Sequence, residues 1–223
     1  MAERPRVFLN CAVSLDGRLA YAEGRRAMLS GPEDLARVQG LRAESDAVLV
    51  GVGTVLKDNP SLRVHWELLG KKSGRTPARV VLDTHARTPE GARVLDGSVA
   101  TLVATGAAAR RRFPPYVETF RSGSDRVDLD ALLHHLVGWG VQTLMVEGGA
   151  TVLSSFLRGG LADRLTVYVA PVVIGGRSAP SMVAGPESTG PEDAVPMTRV
   201  SATPLGEGTL LEYRPSRPPK ASL

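Results

Sequence analysis

The chain has 223 residues, room for one large domain or two small ones, and enough length to bury a real core. Hydrophobic residues make up 43% and charged residues 22%, an ordinary balance for a water-soluble protein, and the net charge of +4 is scattered. One cysteine, Cys11, excludes disulfides within the chain and cysteine-rich metal sites, so no metal site is expected.

The dense basic run Arg110-Arg111-Arg112 precedes Phe113-Pro114-Pro115 with no aromatic–basic pattern, so no nucleic-acid partner is expected. No apolar run approaches membrane-spanning length, and Met1 to Arg6 lead into a strand without a signal-peptide core. The expectation is a cytoplasmic protein with no membrane partner.

Val7–Ser14 reads as a first strand, turned by Leu15-Asp16-Gly17-Arg18; Asp16-Gly17 also fits a hairpin turn. Ser30-Gly31-Pro32-Glu33 has the form of a capping box. The helix behind it runs to about Glu44 with Leu35, Val38 and Leu41 as its apolar face. Ala47–Val50 is a short buried strand. Gly51 to Pro60 then forms a glycine-rich strand-to-helix turn, where free N–H groups suit phosphate. Gly51-Val52-Gly53 lacks the third glycine of a dinucleotide fingerprint.

Further strands are expected at 79–83, 100–105 and 117–120, and a helix at 129–139 with Asp128 as N-cap and Gly140 just past its end. Leu144-Met145-Val146 reads as a buried strand, and Val152, Leu153, Phe156 and Leu157 as a helix stripe. Glu147-Gly148-Gly149-Ala150-Thr151 lies between them. Two glycines permit close backbone approach to a ligand, and the following helix start suits an anion. Glu147 then falls at the carboxyl end of a strand, where open α/β sheets keep their ligand crevice; a tight turn with a solvated glutamate is the plain alternative.

A strand at 165–169 follows, then a long Pro-, Gly- and Ser-rich segment from Arg177 to Pro196, read as a loop, flap or interface arm. Two strands around 197–202 and 209–213 close the chain as a hairpin. Strands alternating with helices and an antiparallel finish predict an α/β protein with a mixed, mostly parallel sheet flanked by helices. The expected organisation is one domain over 1–213 and a disordered tail over 214–223.

Four segments carry a family resemblance: Asn10 to Arg18, Gly53 to Leu62, Val80 to Thr84, and Val146 to Thr151. Together they resemble the pyrimidine reductases of riboflavin biosynthesis, a family with a dihydrofolate-reductase-like fold, over roughly residues 5–213. The resemblance implies NADPH-dependent reduction of a phosphorylated ribosylamino-pyrimidine to its ribitylamino form. It places Ala12, Thr54, Asp58, Asp83, Thr84, Gly148, Gly149, Ala150 and Thr151 at the cofactor. It places Arg42, Leu62 and Glu147 at the substrate, and it suggests a homodimer. Arg87 is added here as a partner for a 2′-phosphate.

Imine reduction needs a proton at nitrogen, for which Glu147 and Asp58 are the candidates with Asp16 behind them. Arg42 is the candidate for the substrate phosphate, with Lys57, Arg63 and His65 as neighbours; a helix-end arginine favourable to the dipole is the alternative. The zinc deaminase that precedes the reductase in bacterial fusions has no motif in this sequence. Asn10, where those fusions resemble this stretch with lysine, tilts the substrate toward 2,5-diamino-6-ribosylamino-4(3H)-pyrimidinone 5′-phosphate. The alternatives are the 5-amino-6-(5-phosphoribosylamino)uracil, a pterin or folate reductase on the same fold, and a nucleotide-binding module without chemistry.

Overall fold

The computed structural model describes residues 3–216, which divide into two compact units. The division falls inside helix α1 (Pro32–Glu44), after Arg37, and inside strand β6 (Thr143–Gly148), after Val146.

The first unit carries β2 (Ala47–Gly51), α2 (Val52–Asp58), β3 (Ala78–Leu82), β4 (Thr101–Thr105), β5 (Val117–Arg121) and α3 (Leu129–Gly138), with most of β6. Its strand order is β5-β4-β3-β2-β6, and β2, β3, β4 and β5 pair in parallel. Every residue of β2 and β4 is buried, the pattern of parallel strands covered on both faces. Val48, Val50, Val81, Val103 and Met145 form the core with Val55 of α2. Helix α3 is bounded as its sequence predicts. Asp128 accepts the Ala131 N–H at 3.0 Å, and Gly140 (φ 86°) lets Val141 N–H reach Leu136 O at 2.9 Å.

The second unit carries β1 (Arg6–Ser14, from Val7), α4 (Ala150–Arg158), β7 (Arg164–Ala170), β8 (Met197–Leu205) and β9 (Gly208–Pro215). β1 pairs with β7 in parallel, and β9 pairs antiparallel with both β7 and β8. Nine residues are too few for a stable isolated helix, so α4 depends on packing. Val152, Leu153, Phe156 and Leu157 are all buried, the stripe expected from sequence. Two parallel arrays and an antiparallel C-terminal hairpin give the α/β class anticipated from the strand–helix alternation.

Several local expectations change. Ser30 does not cap α1 through a capping box; its hydroxyl donates to the Asp34 carboxylate, and the helix starts two residues later at Pro32. Leu35 is exposed, because the helix turns Val38 and Leu41 to the core instead. Asp16-Gly17 makes a tight turn closed by Ser14 N–H on Arg18 O at 2.9 Å, and Arg18 then forms an isolated bridge to Ser181 in place of a second hairpin strand.

The Arg177–Pro196 segment is not a free arm. Leu19 N–H donates to Pro180 O, Met182 N–H to Gly17 O and Arg18 Nη1 to Ala179 O, each at 2.9–3.0 Å, while Arg158 reaches Pro186 O and Ser188 Oγ. Strand β9 includes Arg214 and Pro215, the first residues of the expected tail; residues 217–223 of that tail lie outside the described residues. Among the described residues no helix is long and apolar enough to cross a membrane.

Candidate active site

In the second unit, β6 ends in Glu147-Gly148 and α4 starts at Ala150 with Gly149 as N-cap. Gly148 sits at φ 108°, a conformation closed to side chains, and the Gly148–Gly149 peptide is cis. Gly149 supplies no side-chain cap, so the first N–H groups of α4 keep their capacity for an external acceptor. Gly148 is buried, Gly149 and Ala150 are half-buried and Thr151 is exposed. The donor set fits a phosphate of a nucleotide cofactor. Glu147 is half-buried and engaged with its surroundings.

Ala12 and Asn10 lie on β1 of the same unit. Ala12 packs against Leu29, Tyr168 and Ala170. Asn10 is buried; its Oδ1 accepts from Arg37 Nη2 at 2.7 Å and lies 2.9 Å from Thr166 Oγ1, its partner across the β1–β7 register.

Asp16 is spoken for. Its carboxylate accepts from Ser14 Oγ (2.7 Å), Ile174 N–H (3.0 Å) and Gly175 N–H (2.8 Å). The Ser14 hydroxyl first, and those backbone donors with it, hold the carboxyl well below its usual range. Asp16 is therefore a carboxylate at neutral pH and no proton donor; it ties the end of β1 to the 174–175 loop. Next to Asn10, burial pushes the Cys11 thiol up to about 12, leaving it inert.

In the first unit, α2 is preceded by Gly51 in extended conformation and stopped by Asn59 in the left-handed region (φ 41°). Thr54 is half-buried in its first turn, while Asp58 is its exposed last residue. Leu62 has φ 52°, unusual for a branched side chain, and is 1% exposed within the core. That burial makes Leu62 a core residue rather than an exposed substrate contact.

Arg42 Nη1 donates to Arg63 O at 3.0 Å, which anchors the loop after α2. Arg63 is itself committed: its Nη2 bonds Asp96 Oδ2 at 2.9 Å and Ser98 Oγ at 2.6 Å. His65 Nδ1 lies 3.0 Å from Glu67. Lys57 is exposed.

Asp83 is wholly buried, with Oδ2 accepting both the N–H and the hydroxyl of Thr88 at 2.7 Å, while Oδ1 is buried without a partner. Its side chain shapes the loop that follows β3, on which Thr84 is half-buried and Arg87 exposed. Among the described residues no group of three or more His, Cys, Asp or Glu side chains could hold a metal ion.

Two buried networks escaped the sequence reading. Arg79, inside the apolar strand β3, is 0% exposed and pairs with Asp96 at 2.7 Å. An arginine within a buried strand was the available signal, since such a charge requires a partner. The second network, Ser30–Asp34–Arg37–Asn10, had only the i, i+3 Asp–Arg spacing to announce it.

The fold, the strand-end glutamate and the glycine-opened helix start define an α/β protein with a turn suited to an anionic ligand. The chain belongs to the RibD C-terminal domain family, whose model matches residues 5–211. It is 41% identical over 218 residues to the Methanothermobacter thermautotrophicus protein named 2,5-diamino-6-ribosylamino-4(3H)-pyrimidinone 5′-phosphate reductase, covering 94% of this chain and 98% of that one. The Archaeoglobus fulgidus protein of the same name is 42% identical over 191 residues, 82% of this chain and 87% of that one. Among solved structures, Acinetobacter baumannii RibD superposes with a TM-score of 0.82 at 28% identity over 96% of this chain. The chain spans 59% of the length of that RibD.

Proposed function

We propose that this protein reduces 2,5-diamino-6-ribosylamino-4(3H)-pyrimidinone 5′-phosphate to the ribitylamino compound with NADPH. The observation that carries this reading is the 41% identity to an archaeal reductase of that name along 98% of its length. The reduced nicotinamide, when bound, supplies hydride for C1′ of the open-chain sugar imine.

The chain's own residues have separate tasks in this reading. The first N–H groups of α4, at Gly149 to Thr151, bind a cofactor phosphate, and Gly148 lets the backbone approach it. Ala12 leaves room for the nicotinamide, and Thr54, Asp58 and the Asp83–Arg87 loop serve the rest of the cofactor. Arg87 answers a 2′-phosphate, which favours NADPH over NADH. Arg42 holds the substrate phosphate, the amide of Asn10 orients the pyrimidine with Leu62 packed behind the substrate loop, and Glu147 delivers the proton to nitrogen. Asp58, the other carboxyl considered for that proton, is left with cofactor hydrogen bonding. The reading includes a homodimer in the cytoplasm, and sedimentation at micromolar concentration tests the dimer.

The test of the reaction is NADPH oxidation followed by absorbance, with the diamino-pyrimidinone phosphate, with the aminouracil phosphate and with dihydrofolate. Turnover with the first above the others is expected. Turnover with dihydrofolate alone, or with none, overturns the reading.

A further inference from the structure

Asn10 is held by groups that the proposed reaction does not use. Its Oδ1 lies 2.7 Å from Arg37 Nη2 and 2.9 Å from Thr166 Oγ1. A guanidinium has donors and no acceptor, so the amide atom facing Arg37 is the oxygen and never the nitrogen. Arg37 is fixed in turn: its Nε donates to Asp34 Oδ1 at 2.8 Å, and Nη2 is 2.8 Å from the same oxygen. Asp34 is 1% exposed, and its other oxygen accepts the Ser30 hydroxyl. A carboxylate buried to that degree requires its cation, so Arg37 cannot swing out to water without leaving Asp34 unpaired. The register that sets Asn10 opposite Thr166 adds a second contact to the same amide oxygen.

The terminal torsion of asparagine is broad and roughly two-fold, so without such a lock the amide could present either end. With the oxygen taken, Asn10 has two N–H donors left to offer.

We propose that Arg37 is a positioning residue that fixes the Asn10 amide with its N–H donors toward the substrate, so that Asn10 reads a hydrogen-bond acceptor on the pyrimidine, a carbonyl oxygen or an unprotonated ring nitrogen. This rests on the substrate-facing role given to Asn10 above. The Asp34–Arg37 pair also stabilises the start of α1, and the test must separate the two roles.

The experiment measures KM and kcat with both pyrimidine phosphates, together with Tm, for the wild type and for Asn10→Asp, Arg37→Met and Arg37→Lys. Asn10→Asp keeps the pair with Arg37 and offers only oxygens. It should raise KM roughly 10-fold or more for both substrates while Tm is kept, the scale of one lost hydrogen bond. Arg37→Met should raise KM several-fold with kcat nearly unchanged, and Arg37→Lys, also a pure donor, should recover part of that loss.

Asn10→Asp that keeps or lowers KM for the diamino-pyrimidinone overturns the proposal, because the amide oxygen would then be serving a substrate amino group. So does an Arg37→Met enzyme whose KM is unchanged. Should Arg37→Met fail to fold, Asn10→Asp and Arg37→Lys decide by the same criteria. A wild type without turnover on either pyrimidine sinks the reductase reading itself; turnover with KM insensitive to these changes sinks the positioning role alone.

Discussion

Asp46 and Thr143 close the start of β2 on the start of β6. The Asp46 carboxylate accepts the Thr143 N–H at 2.8 Å and its hydroxyl at 2.9 Å, with Gln142 N–H at 2.9 Å and Arg75 Nη2 at 2.8 Å from the other oxygen. Partial burial pushes this carboxyl up, but the donors from Gln142 and Thr143, helped by Arg75, outweigh it and hold it below the ordinary range. A carboxyl depressed in the folded state contributes stability above its unfolded value of ~3.9, and loses it as pH falls through the folded value. Asp46→Ala should cost about 1–3 kcal/mol at pH 7. Urea melts of both proteins should show the gap shrinking below about pH 4; a gap independent of pH would assign the loss to packing.

Gly149 tests the cofactor phosphate. Its φ of −56° and ψ of −174° belong to extended backbone open to any residue, unlike Gly148 at φ 108°. Gly149→Val should therefore fold with a near-normal circular dichroism spectrum while its β-branched side chain blocks the helix start. NADPH affinity measured by fluorescence titration should fall ~10-fold or more, more than 1.4 kcal/mol of binding. Unchanged affinity would move the phosphate elsewhere.

Glu147→Gln separates proton delivery from orientation. General acid catalysis contributes roughly 10²–10⁴-fold, so kcat should fall on that scale with little change in KM. Near-wild-type kcat across the pH profile would leave Glu147 an orienting group only.

Arg42→Ala should raise KM for the phosphorylated substrate ~10-fold or more, the equivalent of ~1.4 kcal/mol. The variant should also discriminate poorly between phosphorylated and dephosphorylated substrate, with NADPH affinity intact. Because Arg42 also holds Arg63 O, loss of the loop anchor alone would raise KM equally for both substrates. Equal loss would place the phosphate on other residues.

The elements were largely legible because each is written in local chemistry. The 3.6-residue stripe of α4, the Asp128 cap and the Gly140 stop of α3, and the apolar runs of β2 and β4 all act within a few residues of themselves. The four short segments between Asn10 and Thr151 also carried the resemblance to the family whose model matches residues 5–211. The capping box failed because Ser30 found a carboxylate four residues ahead, and a side chain's choice among nearby partners depends on the burial around it.

What the sequence by itself determined was the α/β class, the extent of most elements and the identity of the glycine-opened helix starts. Which polar groups are committed was decided only by the tertiary structure. Asp16 looked available and is bound to backbone N–H groups about 158 residues away; Arg63 looked cationic and is paired with Asp96. Asn10 has one end of its amide occupied by Arg37, 27 residues along the chain. The physical reason is range: helix and turn preferences are set by neighbours in sequence. The partner that fixes a buried charge or amide comes from whatever strand or helix the fold brings within hydrogen-bonding distance.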